Sequence, residues 1–132
     1  MEIVLTQWAL DSYLNLKHSR TFTPQEYKAQ IRPDVLLLKN YPNDPKFQNA
    51  KFFSHATDGM KNRIPNGHKM KWHQVGSGLV QLRAPIGILT EAYICEAYVK
   101  GDLKKDKRMM AKFKTHLQLI LQNQFTECGR LS

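Results

Sequence analysis

Cysteine is scarce in this chain. Cys95 and Cys128 are its two cysteines among 132 residues, which argues against a disulfide scaffold and for a reducing, cytoplasmic compartment. No apolar run approaches membrane-spanning length. The opening Met1-Glu2-Ile3-Val4-Leu5 passes at once into polar residues, without a signal-peptide pattern, so no membrane partner is expected. The histidines His18, His55, His68, His73 and His116 are scattered, Cys-x-x-Cys and His-Glu-x-x-His spacings are missing, and no paired carboxylates stand out. The reading is therefore no metal and no cofactor. Gly76-Ser77-Gly78 lacks the lysine and the strand-to-helix context of a phosphate-binding loop.

Acidic residues are the other shortage. Eleven Asp plus Glu face 20 Lys plus Arg, for a net charge of +9 and a pI near 9.7. Such an excess favours polyanionic partners, nucleic acid being the commonest. A hydrophobic fraction of 42% predicts a folded chain, and its length predicts one domain over residues 1–132 with a core that needs no staples.

The clearest pattern runs from Gly67 to Lys100. Along Gly67-His68-Lys69-Met70-Lys71-Trp72-His73-Gln74-Val75, one parity holds Lys69, Lys71 and His73 and the other His68, Met70 and Trp72. In a strand, Met70 and Trp72 then enter a core while the cations line the outer face. After the Gly76-Ser77-Gly78 turn, Leu79 to Arg83 repeats the alternation, Pro85-Ile86-Gly87 breaks it, and Leu89 to Lys100 forms a third strand. The expectation is an antiparallel three-strand meander over 67–100 with one apolar face and one face of Lys, His, Arg and Tyr.

Upstream, Glu2 to Thr6 reads as a short strand, and Thr6 can cap a helix over Gln7 to Lys17. Thr23-Pro24-Gln25-Glu26 combines an N-cap, a first-turn proline and a capping-box glutamate, so a second helix starts at Pro24. Pro33 should kink or split it before it resumes over Asp34 to Asn40. Residues 46–66 read as a long loop that must still bury Phe47, Phe52 and Phe53, and that carries Lys61 and Arg63. Gly101 to Cys128 reads as a terminal helix with an apolar stripe of Met109, Met110, Phe113, Leu117, Ile120, Leu121 and Phe125. Its first half is crowded with Lys104, Lys105, Lys107, Arg108, Lys112 and Lys114. The expected fold class is α+β: a small antiparallel sheet of the N-terminal strand plus the meander, packed by two N-terminal helices, with a C-terminal helix.

Three stretches resemble the RelE/ParE superfamily of bacterial toxin components. Ala9-Leu10-Asp11-Ser12-Tyr13-Leu14-Asn15-Leu16 is similar to that superfamily's first helix. His68 to His73 with Leu79-Val80-Gln81-Leu82-Arg83 resembles the Lys-x-Lys-x-Arg strand and hairpin of RelE-type mRNA interferases. Tyr93 to Lys100 resembles the closing strand with its terminal basic residue. On this resemblance Lys69 and Lys71 match the two catalytic-strand lysines, His73 stands where RelE proper has arginine, and Lys100 matches the last-strand cation. The arginine expected at the start of the next strand is replaced by Gly78-Leu79, leaving Arg83 to supply that charge. The family's tyrosine after the last strand has no counterpart, and Tyr98 is the nearest.

Metal-free RNA cleavage needs a base for the 2′-OH, an acid for the 5′ oxygen and cations for the phosphorane. Histidine, or a lysine whose pKa is depressed, suits the first two roles. Lys69, Lys71, His73 and Arg83 are the catalytic candidates, with Lys61, Arg63, Tyr98, Lys100, Lys104 and Lys105 as RNA contacts. The resemblance implies a ribosome-associated mRNA endoribonuclease giving a 2′,3′-cyclic phosphate, with mRNA, the ribosome and an acidic antitoxin as partners. A ParE-like gyrase inhibitor and a non-enzymatic RNA-binding module are the alternatives. Without the family, lysines on an exposed strand are more often a solvated face or edge protection.

Overall fold

The computed structural model describes all 132 residues. Strand β1 (Ile3–Thr6) runs directly into helix α1 (Gln7–His18) because Thr6 does two things at once. Its hydroxyl oxygen accepts from the Ala9 N–H at 3.2 Å, capping the helix, and its O–H donates to the Ile94 carbonyl at 2.7 Å.

The second helical run begins at α2 (Pro24–Glu26) with both halves of the capping box formed. It widens to a π turn over Tyr27–Ile31, returns to α3 (Arg32–Leu36) and tightens to a 3-10 turn over Leu37–Asn40. Pro33 explains the widening. Its ring cannot tolerate the carbonyl four residues back and it donates nothing, so the ladder shifts to a five-residue step, in which the Arg32 N–H reaches the Tyr27 carbonyl. No helix is long and apolar enough to cross a membrane.

The fold is α+β, with one mixed sheet in the order β2-β3-β4-β5-β1-β7. Its strands are β2 (Phe53–Thr57), β3 (Arg63–Val75), β4 (Val80–Ile88), β5 (Ala92–Ile94), β6 (Tyr98–Val99) and β7 (Glu127–Leu131). The meander is antiparallel, whereas β1 joins β5 in parallel.

Four expectations are corrected. The long loop contains β2, which pairs with β3 from Phe53↔Met70 to Thr57↔Arg63. Pro85-Ile86-Gly87 does not break β4, since Pro85 is paired opposite Lys69 within it. The third strand is two pieces, and the irregular Cys95-Glu96-Ala97 link between them reverses parity: Ile94 joins the core under α1, but Tyr98 joins the opposite one. The terminal helix α4 spans Leu103–Leu121, ends near Asn123 at φ 56°, and leaves residues 127–131 to pair antiparallel with β1. Leu121 is consequently exposed rather than part of the stripe.

Two cores sandwich the sheet. α1 and the second helical run cover the face of Met70, Trp72, Leu82 and Ile86. α4 lies across the other face, with Met110, Phe113 and Leu117 against Ile64 and Tyr98. Phe113 sits so close to β3 that a Cβ on Gly67 would meet its ring at 2.9 Å. The cation-bearing face is therefore half covered by a helix.

Candidate nucleic-acid interface

The pleat of β3 sends Lys69, Lys71 and His73 to the α4 side while Met70 and Trp72 are buried on the other. Register across β4 places Lys71 opposite Arg83, and β6 places Tyr98 opposite Arg83 on its far side. Lys100 follows Tyr98 and is tied to β4 by its N–H donating to the Gln81 carbonyl at 2.8 Å. Lys69, Arg83 and Lys100 all act on Lys71. Burial first, then these three cations, lower its pKa from the ordinary lysine value.

Arg83 is the buried member, 6% exposed. Its guanidinium donates to the Gln81 side-chain oxygen at 2.9 Å and to the Leu82 carbonyl at 3.2 Å. Burial lowers its pKa, opposed by Tyr98 and Asp106. Asp106, from the first turn of α4, is the counter-charge of the cluster. It accepts from the Tyr98 hydroxyl at 2.7 Å and lies 3.8 Å from the Lys69 ammonium. Burial and that carboxylate raise the Tyr98 pKa, so the phenol stays protonated. Sequence reasoning passed over Asp106, although an acid set among Lys104, Lys105, Lys107 and Arg108 was the signal available.

Lys71 and His73 share a pocket of about 390 Å³ with Lys46, Asn49, Lys51 and Gln74. The Lys71 ammonium donates to the Ala50 carbonyl at 2.9 Å, and His73 Nε2 faces the Lys51 carbonyl. A carbonyl oxygen only accepts, so Nε2 is the donor in this contact and Nδ1 is the ring nitrogen not engaged by it. Lys46 and Lys51 were not among the residues singled out from sequence, because their segment reads as loop.

The remaining candidates lie elsewhere. Lys61 is in the β2–β3 turn at φ 63°, stabilised by Asp58 accepting from the Met60 and Asn62 N–H groups. Arg63 opens β3 and its charge is felt by His68 rather than by Lys71. Lys104 and Lys105 follow Asp102, which caps α4 by accepting from the Lys105 N–H at 2.8 Å. Tyr98 is buried and offers no ring face for a base.

A scan against protein-family models, a search of curated proteins and a search of solved structures each return no match.

Proposed function

We propose that the chain is the toxin of a toxin–antitoxin pair, a metal-independent endoribonuclease that cuts mRNA at the ribosome. The observation that carries this reading is Lys71. It is a lysine of lowered pKa, ringed by Lys69, Arg83 and Lys100, and it lines one pocket with a histidine whose Nε2 faces the Lys51 carbonyl and leaves Nδ1 outside that contact. His73 Nδ1 takes the 2′-OH proton, the 2′ oxygen attacks phosphorus, the bond to the 5′ oxygen breaks, and Lys71 gives that oxygen a proton. The products are a 2′,3′-cyclic phosphate and a 5′-OH end. A lowered pKa makes Lys71 a better donor than an ordinary lysine. Arg83, fixed by Gln81 and the Leu82 carbonyl, and Lys100 act on Lys71 from beside the pocket and add to the positive potential that favours a developing phosphorane. The acidic partner and the ribosome rest on the resemblance of the strand and hairpin motifs and on the net charge of +9.

The bonds of Lys71 and His73 to the carbonyls of Ala50 and Lys51 favour a second reading, a non-enzymatic RNA-binding module in which both groups merely order the 49–52 segment. Incubating purified protein with labelled single-stranded RNA, with and without ribosomes and in the presence of a chelator, separates the two. Cleavage that survives the chelator and is lost in Lys71→Ala supports the nuclease. Binding without cleavage, in both conditions, supports the module.

A further inference from the structure

Away from the cationic strand, an apolar cavity of about 180 Å³ lies between α1, the second helical run and the sheet. Small side chains at Ala9, Ala84 and Ala97 leave the room, and Trp72, Leu82 and Ile94 are among its walls. No carboxylate lines it, and its one cation, Arg32, already donates to the Ser132 carbonyl at 3.0 Å. A cavity of about 150 Å³ with such walls stays dry and holds a benzene-sized group.

A second space adjoins the cavity. Tyr13, Phe22 and Tyr27, with ring centroids 5.1 to 6.0 Å apart, also line an outer cleft of about 500 Å³. That cleft carries Lys17, Arg20 and Lys28 and no acidic residue. None of the three forms an ion pair. The aromatic trio thus separates a dry pocket from a ring of unpaired cations. Tyr27 and Ile31, both on the pocket wall, belong to the π turn, a distortion that often accompanies functional sites.

We infer that this cavity and the adjoining cleft bind a small amphipathic organic anion, whose apolar body of about benzene size passes the Tyr13, Phe22 and Tyr27 rings that both spaces share to occupy the cavity, and whose carboxylate meets Lys17, Arg20 and Lys28. The site is independent of the RNA-cleavage reading, since it shares no residue with Lys69, Lys71, His73 and Arg83.

The test titrates the full chain with sodium octanoate and sodium 4-phenylbutyrate, below their self-association range, with sodium acetate and inorganic phosphate as head-only controls. Methyl NMR of Val35, Leu82 and Ile94 reads the cavity. The tailed acids should shift these methyls saturably and raise the melting temperature, while the controls leave the methyls unmoved. Ala84→Leu, which fills the pocket, should abolish the shifts, and Ala97→Leu serves if the first variant does not fold. Lys17→Gln/Lys28→Gln should weaken binding about tenfold, surface charges being individually modest. Methyls that no tailed acid shifts, pocket-filled variants that fold and still bind, or a charge variant that binds as the wild type does would each overturn the assignment.

Discussion

Lys71 and Asp106 mark the two sides of the cationic cluster, one under pressure to lose its proton and the other neutralising its neighbours. If Lys71 is the acid, cleavage requires its protonated form. The rate should then fall as pH rises through a value below the ordinary lysine range, and an RNA-cleavage pH profile measures it. Lys71→Arg, which keeps charge but cannot give up its proton, should retain RNA binding and lose cleavage. Asp106→Asn removes the competing carboxylate while still accepting from Tyr98, so RNA affinity should rise about threefold, with a stability loss of no more than about 1 kcal/mol. A filter-binding curve at low salt together with a thermal melt reads both.

His68 belongs to the opposite face and makes a prediction of a different kind. It stacks on Phe53 at 5.0 Å, its Nδ1 is buried without a partner, and burial followed by the charges of His55 and Arg63 lowers its pKa to about 4. The unfolded chain therefore binds this proton at higher pH than the folded one. Above about pH 6.5 the group costs nothing, and as pH falls from there to about 4 stability is lost. Discounted for partial exposure, the loss is on the order of 1 to 2 kcal/mol. His68→Phe should flatten this part of the urea-midpoint profile and leave the midpoint at pH 8 nearly unchanged.

At the scale of elements, the β3–β4 hairpin is locked to the second helical run. Gly76 donates to the Glu26 carboxylate at 3.0 Å, and the Thr23 N–H donates to the same oxygen at 2.8 Å. Those N–H groups hold the Glu26 pKa low, so the lock contributes above the usual carboxylate value and is lost as pH falls through the depressed one. Gly76 sits at φ 60° and a Cβ there would meet the Thr21 carbonyl oxygen at 2.4 Å. Gly76→Ala should cost more than about 1 kcal/mol, read as a lower urea midpoint with the slope unchanged.

What was legible at this scale follows from how local each signal is. The Thr23 capping box, the Thr6 cap, the interruption at Pro33 and the alternation of β3 depend on near neighbours, and each takes the form that the sequence predicts. β2 was not legible because its five residues sit among turn residues and gain their partner only from β3. β7 was hidden by Glu127, Gly129 and Arg130, which leave almost no apolar alternation; its pairing comes from β1 at the other end of the chain. Asn123, in the left-handed region that ends helices, was the missed stop signal for α4. In the candidate site, Lys69, Lys71 and His73 were readable from parity, but Asp106 and the carbonyls of Ala50 and Lys51 required tertiary contacts.

Over the whole molecule, charge is unevenly spent. The sheet face holds Lys69, Lys71, Arg83 and Lys100, whereas Arg108 of α4 lines a separate pocket that also holds Asp11 and Glu96. If Lys69, Lys71 and Lys100 each neutralise one phosphate, with Arg83 buried beneath them, single-stranded RNA affinity should fall with salt at a log–log slope of about −2, and Lys100→Gln should reduce that slope by about 0.7. A slope near zero would show that the excess charge serves something other than RNA.

Whether Lys71 and His73 cut mRNA, as proposed, is read by mapping 5′ ends in bacterial cells. Wild type and the Lys71→Ala/His73→Ala double variant are induced in parallel, with growth followed and transcript ends read by primer extension. Growth arrest with new in-frame cuts carrying 5′-OH ends is expected, both lost in the variant while the protein remains folded. Arrest without new ends, or cuts that persist in the variant, would contradict the proposed cleavage.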